Sequence, residues 1–514
     1  MALNTETSAS MDFTNPLTGL GETEKRVLSY AAAMGKEFDF SVLETATEMD
    51  EEQLAEMLEK LVHRGILKEL NWGDSYSFVQ VVTLALAYRD ISSSRLRLIH
   101  KKIAEASEKL HPDPTPDLIP EMGRHFHLGG VHEKSLLYNR YAAMLAKDAF
   151  SPDVAIHYLE RAREDIAALP GDHRLEEADI LKDIGEQFSA LGDDSRADEF
   201  YGESLKKLPE EEVTMRALLL LARAGGAREM DNMGLSHQYC DQAIQLLEKV
   251  RHRKGLALAH QSLGRVAFKE GQFELGRKEM GAALELLDPE KDAKDCARCY
   301  IDLGNVHSMS AEPAEQARTL KYYRKAIQLL EPLHDYYELS RAHNNLSVDI
   351  GLSNPREALD ELAKARHYAE KSGDKRFMGW VLFNTVYLLL PLGEEAEAAR
   401  NCAEARRILS KYCDPSGMQQ VTLSEGMLAQ HRKSFEDAEK AYLDALKMSE
   451  NLGYPPVVVE ALMYLATMYA DWGKNSEAIK AVSRIREIGE DNLMPMTIPS
   501  YQDLKKRLGV EQVP

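Results

Sequence analysis

Small and apolar residues return along this chain on a fixed beat. Ala358, Ala398, Ala438 and Ala478 stand 40 residues apart, each near the opening of a stretch with helical periodicity. Around Ala438 the pattern runs Leu423-Ser424-Glu425-Gly426, then Ala429, then Phe435-Glu436-Asp437-Ala438, Tyr442 and Ala445. Apolar residues three and four apart predict amphipathic helices. Gly426, Ala438 and Ala445 mark where two antiparallel helices draw close, because only small side chains allow it. One period on come Ala466, Tyr469 and Ala478; one period back come Leu389, Ala398, Cys402 and Ala405, and two back Ser347, Ala358, Leu362 and Ala365. Weaker copies follow toward the N-terminus at Gly304 with Ala326, Gly264 with Gly276 and Ala283, Ala224 with Ser236 and Ala243, and Gly185 with Ala197, Tyr201 and Pro209. A chain of 514 residues is long for one core, but stacked hairpins need only their neighbours.

The two ends break the beat. Residues 1–20, rich in Ser, Thr and Asn, predict a loose leader with no targeting features. From Gly21, Glu24-Lys25-Arg26-Val27-Leu28 begins a helix, Phe38-Asp39-Phe40 predicts a turn, and Asp50-Glu51-Glu52 caps an amphipathic helix through Leu61. A polar turn at Asn71 to Ser75 before Tyr76-Ser77-Phe78-Val79 predicts a hairpin, and three helices with a hairpin make a winged helix over 21–90. Helical connectors and first hairpins follow over 91–170, and the array over 171–489. After Gly489, Pro495 and Pro499 precede the amphipathic run Tyr501 to Leu508, which predicts a helix in 490–514 covering the apolar edge of the last repeat.

The small and aromatic positions resemble the tetratricopeptide repeat, whose usual period is about 34 residues. The longer period resembles the variant in the sensor arms of maltose-type transcriptional activators and in kinesin light chains. That likeness implies an all-α fold, a right-handed superhelical solenoid of about 40-residue repeats behind a small N-terminal domain. Upstream, Glu24 to Leu28, Ala31-Ala32-Ala33-Met34-Gly35-Lys36-Glu37-Phe38, Leu58 to Leu67, Tyr76 to Phe78, Tyr88-Arg89, Arg95 and Leu98-Ile99-His100 resemble the winged-helix segment that follows the nucleotide-binding module of signal-transduction ATPases with numerous domains, and Arg124-His125-Phe126 resembles the connection into their repeat arm. Gln80 departs from the histidine many relatives carry there. The phosphate-holding motif of such ATPases is absent: Gly35-Lys36 is followed by Glu37 and Gly473-Lys474 by Asn475. The resemblance therefore implies the regulatory half of that family without its motor, with a separate ATPase chain as one candidate partner.

Charge narrows the partners. The 63 Lys and Arg against 84 Asp and Glu give 63 − 84 = −21, which disfavours phosphate backbones and anionic lipid. Over Gly21 to Tyr88, six basic residues (Lys25, Arg26, Lys36, Lys60, Arg64, Lys68) face 13 acidic ones, and the run Glu48-Met49-Asp50-Glu51-Glu52 would repel DNA. Apolar runs such as Ala217 to Ala222 are far shorter than the ~20 residues a membrane span needs. Cys240, Cys296, Cys299, Cys402 and Cys413 form an odd set without a secretory signal, which predicts reduced thiols and a cytoplasmic chain.

The chain carries no recognisable catalytic constellation. His125, His127 and His132 cluster near Gly129-Gly130 without carboxylate or thiolate companions at ligand spacing, and Cys296-Ala297-Arg298-Cys299 is half a zinc or redox motif inside a repeat helix. No nucleophile elbow, dinucleotide loop or zinc-protease helix occurs, so neither enzyme activity, metal nor cofactor is expected.

Recognition is what remains, on the face lined by the first helix of each repeat. With Gly304, Ser347 and Val386 as position eight, the inward positions two, five, six and nine fall on Arg298, Asp302 and Asn305, on Arg341, Asn344 and Asn345, and on Trp380, Asn384 and Tyr387, with Gln261 and Arg265 from the preceding repeat. Asn345 and Asn384 share position six, where an amide both donates to and accepts from an extended backbone, as asparagines do in related arms. The arginines suit a carboxylate, and Trp380 and Tyr387 offer stacking faces. The expectation is a noncatalytic scaffold that captures a peptide, protein or small ligand and signals through the N-terminal domain. The alternative is a transcriptional regulator whose winged helix binds DNA under control of the arm.

Overall fold

The computed structural model describes residues 17–310, 312–351, 353–412, 414–494 and 497–510. Cys413, Pro495 and most of the expected leader (1–16) lie outside the described residues. The chain divides into two units, Met1–Gln187 and Phe188–Pro514.

The first unit opens with α1 (Glu22–Met34), β1 (Glu37–Asp39), α2 (Phe40–Thr47), α3 (Glu51–His63), β2 (Leu67–Leu70), β3 (Ser75–Phe78) and α4 (Val81–Arg89). Asp50 starts α3 by accepting the backbone N–H groups of Glu52 and Gln53, which relieves two of the donors every helix start leaves unpaired. The expected turn at Phe38-Asp39-Phe40 is instead the strand β1 followed by the first residue of α2. Pairing Phe38 with Tyr76 sends the Phe38 ring into the core while Glu37 and Asp39 stay in water, so burial overrides the turn reading. β3 lies between β1 and β2, antiparallel to both, and Val27, Leu43, Leu54, Leu58, Leu61 and Phe78 close the core beneath them. The N-terminal domain therefore carries a three-stranded sheet rather than a hairpin alone. Helical hairpins follow with α5 (Ser93–Leu110), α6 (Leu118–Gly129), α7 (His132–Asp148), α8 (Pro152–Ala168) and α9 (Arg174–Ala190), inside which the division between the units falls.

The second unit is a run of helix pairs: α10 (Asp194–Lys207), α11 (Val213–Glu229) with α12 (Met233–Lys249), α13 (Arg253–Lys269) with α14 (Phe273–Leu286), α15 (Ala293–Ser308) with α16 (Pro313–Leu330), α17 (Tyr336–Gly351) with α18 (Pro355–Ser372), α19 (Lys375–Leu389) with α20 (Glu395–Lys411), α21 (Pro415–His431) with α22 (Phe435–Leu452), and α23 (Pro455–Trp472) with α24 (Asn475–Ile488). Ala358, Ala398, Ala438 and Ala478 sit in the first turn of α18, α20, α22 and α24, fully buried. The small residues have a steric cause. A Cβ on Gly426 would come within 2.4 Å of the Tyr442 ring, and one on Gly304 within 2.3 Å of the Tyr323 ring. From α11 onward, each first helix touches both its own partner and the first helix of the next pair, whereas second helices make no comparable contact with each other among the described residues. First helices therefore form the inner row of the array. At its end α25 (Ile498–Leu508) buries Tyr501 and Leu504 against the cluster that holds Val482 and Ile485, covering apolar surface the last pair would expose.

Candidate functional site

Every residue expected on the inward positions lies on α13, α15, α17 or α19, in the inner row. They bond mostly to one another. Asp302, at position six of its repeat, accepts 2.8 Å bonds from Gln261 Nε2 and Arg265 Nε of the preceding repeat. Asn345, one period on, donates to Asn305 Oδ1 at 2.9 Å, and Asn384, one period further, donates to Asn344 Oδ1 at 2.9 Å. Position six thus reaches back in three consecutive repeats to position five or nine of the helix before. Asn344 Nδ2 closes the gap to Asn345 Oδ1 at 3.3 Å, and Asn305 Oδ1 also takes the Tyr323 hydroxyl at 2.8 Å. The result is a ladder of amides in which each rung ties two neighbouring helices.

The arginines belong to a second line of ties. Arg298 Nε and Arg341 NH1 donate to the two oxygens of Glu338 at 2.7 and 2.9 Å. Burial works to raise the Glu338 carboxyl, but Arg341 and Arg298 outweigh it and hold it below the ordinary carboxylate range. Arg376 Nε and Trp380 Nε1 converge on Asp414 Oδ2 at 2.8 and 2.9 Å, while Asp414 Oδ1 caps α21 through the Gly417 N–H. The arginines expected to meet a ligand carboxylate are therefore already neutralised by carboxylates of this chain. Glu338 and Asp414 escaped the sequence reading because both precede the numbered positions, at helix starts where acidic residues usually signal only a cap.

The same frame carried to Gly426 and Ala466 places Gln420 and Glu460 at position two and Tyr464 at position six. Tyr387 donates its hydroxyl to Gln420 Oε1 at 3.0 Å, and Gln420 Nε2 donates to Glu460 Oε2 at 2.9 Å. The Tyr387 and Tyr464 rings lie 6.4 Å apart. Val348, at position nine of its repeat, is 38% exposed. Asn305, Asn345, Asn384, Trp380 and Tyr387 are half-buried, so each stays partly open to solvent along the ladder.

The histidines of the first unit find the carboxylate their sequence spacing lacked. His127 Nδ1 and His132 Nδ1 lie 3.0 and 2.8 Å from Oδ1 of the buried Asp165 on α8, whose other oxygen takes the Ser135 hydroxyl. Among the described residues no group of three or more His, Cys, Asp or Glu is placed to hold a metal ion. Cys240, Cys296, Cys299 and Cys402 are buried free thiols; burial pushes Cys402 up to about 12 and Cys299 upward as well. Thiols so held are poor nucleophiles.

His100 and His125 form a separate buried pair, Nδ1 to Nδ1 at 2.8 Å. Arg124 donates to His125 Nε2 at 3.0 Å, so His125 is neutral with its proton on Nδ1, and His100 accepts it while donating through Nε2 to the Tyr88 hydroxyl. Burial and Arg124 press His100 down to about 4 and His125 well below its ordinary value. A folded pKa below the unfolded one, near 6.5, means that the unfolded chain binds more protons between the two. Stability is therefore full above about pH 6.5 and falls toward pH 4, by on the order of 3 kcal/mol from His100. Denaturant titrations across that range should show the fall, flattened in a His100→Gln/His125→Gln chain.

No family model matches the chain, and no curated protein matches its sequence. Among solved structures it is similar to a Rap protein complexed with competence and sporulation factor, at 13% identity and a TM-score of 0.52 over 70% of this chain and 99% of that one. It is also similar to a signal-transduction ATPase with numerous domains from Pyrococcus horikoshii that has a tetratricopeptide repeat sensor, at 14% identity and a TM-score of 0.42 over 95% of this chain and 66% of that one. A third likeness, to aspartyl phosphate phosphatase F from Bacillus subtilis, has 13% identity and a TM-score of 0.47 over 69% of this chain and 94% of that one. The first of these shows the fold, an α-solenoid of tetratricopeptide-type hairpins.

Proposed function

We propose that this chain is a noncatalytic binding protein of signal transduction, whose repeat array captures a peptide or protein segment along its first helices. The observation that carries the reading is the inner row itself. Six successive first helices meet side by side, α13 through α23, and their ladder of amides fixes a strip of half-open Asn, Trp and Tyr side chains at regular spacing. A strip fixed in advance binds an extended segment at low ordering cost. The Rap protein of the same fold is one complexed with competence and sporulation factor, which supports a bound partner as the business of such an array. The N-terminal domain is read as a winged helix because its elements run helix, strand, helix, helix, strand, strand, and its third strand lies centrally in the sheet. Its acidic balance favours protein contacts over DNA.

Affinity capture tests the reading with wild type, Asn345→Ala/Asn384→Ala and Val348→Glu. Val348→Glu disturbs no ladder bond yet places charge on the open strip. Loss of the same captured protein by both variants, with unchanged melting of Val348→Glu, is the expected result; equal capture by all three would count against the strip.

A further inference from the structure

The charges of the inner row do not cancel evenly. Asp302, Glu338 and Asp414 hold Arg265, Arg298, Arg341 and Arg376. On the same helices Asp295 takes Lys254, Glu425 takes Arg406 and Asp471 takes Arg507. Asp349 on α17 and Glu460 on α23 have no cationic partner among the described residues. Burial alone raises Asp349 to about 7, and burial raises Glu460 against the single opposing bond from Gln420.

Glu460 differs from Asp349 in its company. Tyr464 stands one helical turn along α23 on the same face, and the Tyr387 ring approaches Tyr464 from α19. Gln420 occupies Oε2 of Glu460 and leaves Oε1 free. All three groups are half-buried, neither sealed in the core nor fully in water.

We propose that Tyr387, Tyr464 and Glu460 form a subsite for the cationic head of an arginine or lysine side chain, carried by an extended peptide lying along the first helices. The inference rests on the peptide-capture reading and deepens it by naming the chemistry of one contact. The negative face of a tyrosine ring attracts a cation brought within about 6 Å, which Tyr387 and the side of Tyr464 not stacked on Tyr442 would supply. The free oxygen of Glu460 adds a charge-assisted hydrogen bond. A carboxylate side chain would be repelled by Glu460, while Arg265, Arg298, Arg341 and Arg376 are each held by a carboxylate of this chain. The cost of burying the Glu460 charge is offset by the attraction of an arriving cation, which favours that ligand over a neutral one.

Immobilised end-blocked pentapeptides, varied at the central residue among neutral flanks, are panned with the full chain as wild type, Glu460→Gln and Tyr387→Leu. Arginine or lysine should be enriched on wild type, and either variant should lose roughly tenfold of that preference for basic over neutral peptides. Melting curves identify a variant that fails to fold, in which case the other decides. Retention of peptides without basic enrichment, or enrichment unchanged in a folded Glu460→Gln chain, overturns the subsite and leaves peptide capture standing. A wild type that retains no peptide overturns both.

Discussion

Replacing Glu338 with alanine should cost about 3–5 kcal/mol, the loss typical when one member of a buried ion pair is removed. Glu338 is 1% exposed and carries both Arg298 and Arg341. Without it Arg341 loses its ion-pair partner, Arg298 keeps only the longer contact with Asp295 at 3.8 Å, and the Glu338 tie between α15 and α17 is lost. Because each repeat leans only on its neighbours, the damage should be local. Hydrogen exchange should show faster opening of α15 to α18 and little change at α23 and α24. The same carboxyl sets an acid limit. Its folded pKa lies below the unfolded value near 4.3, so its contribution is complete above that pH and fades as pH falls through the lower folded value. Wild type should therefore lose this tie only in strong acid, and the difference between wild type and Glu338→Ala should shrink there. A variant that exchanges like wild type at neutral pH would remove the arginine line from the account.

Tyr442→Ala should cost a similar amount, about 3–5 kcal/mol, for a different reason. The Tyr442 ring is fully buried, seated on Gly426, and stacked on Tyr464 with centroids 5.7 Å apart. Its hydroxyl donates to Gln430 Oε1 at 2.9 Å. Truncation leaves a cavity between α21 and α22 and removes the support beneath Tyr464. Urea denaturation should show an early transition from the C-terminal pairs, and peptide panning should show weaker basic enrichment even where the chain still folds. Coincident transitions of wild type and variant would contradict the packing described.

The residues differ in how openly they announced these roles. The hairpin period was readable because the contact at Gly426 leaves no room for a Cβ, and the same crowding meets a Cβ at Gly304 and Gly264. β1 was not readable, because three residues give too short a run to reveal alternation, and Phe38 joins a strand only because Tyr76 is there to receive it. The inward frame picks out Asn345 and Asn384, which lie on the first helices α17 and α19. That they bond to Asn305 and Asn344 depends on the offset between neighbouring helices, which periodicity does not carry. Reading Arg298 and Arg341 as free for a ligand failed for a similar reason: their partner Glu338 opens α17, in a place the frame does not number. Gln420, Glu460 and Tyr464 were within reach, since the frame that ended at Val386 continues through Gly426 and Ala466.

On the peptide-capture reading the first helices, and not the second ones, receive the partner. Site-specific photo-crosslinking tests it most directly, with a benzoylphenylalanine placed at Val348 on α17 or at Leu443 on α22, both exposed in the unbound chain. A discrete adduct from Val348 and none from Leu443, in lysate of the native host, is the predicted result. Adducts from Leu443 with none from Val348 would place recognition on the second helices and contradict the account.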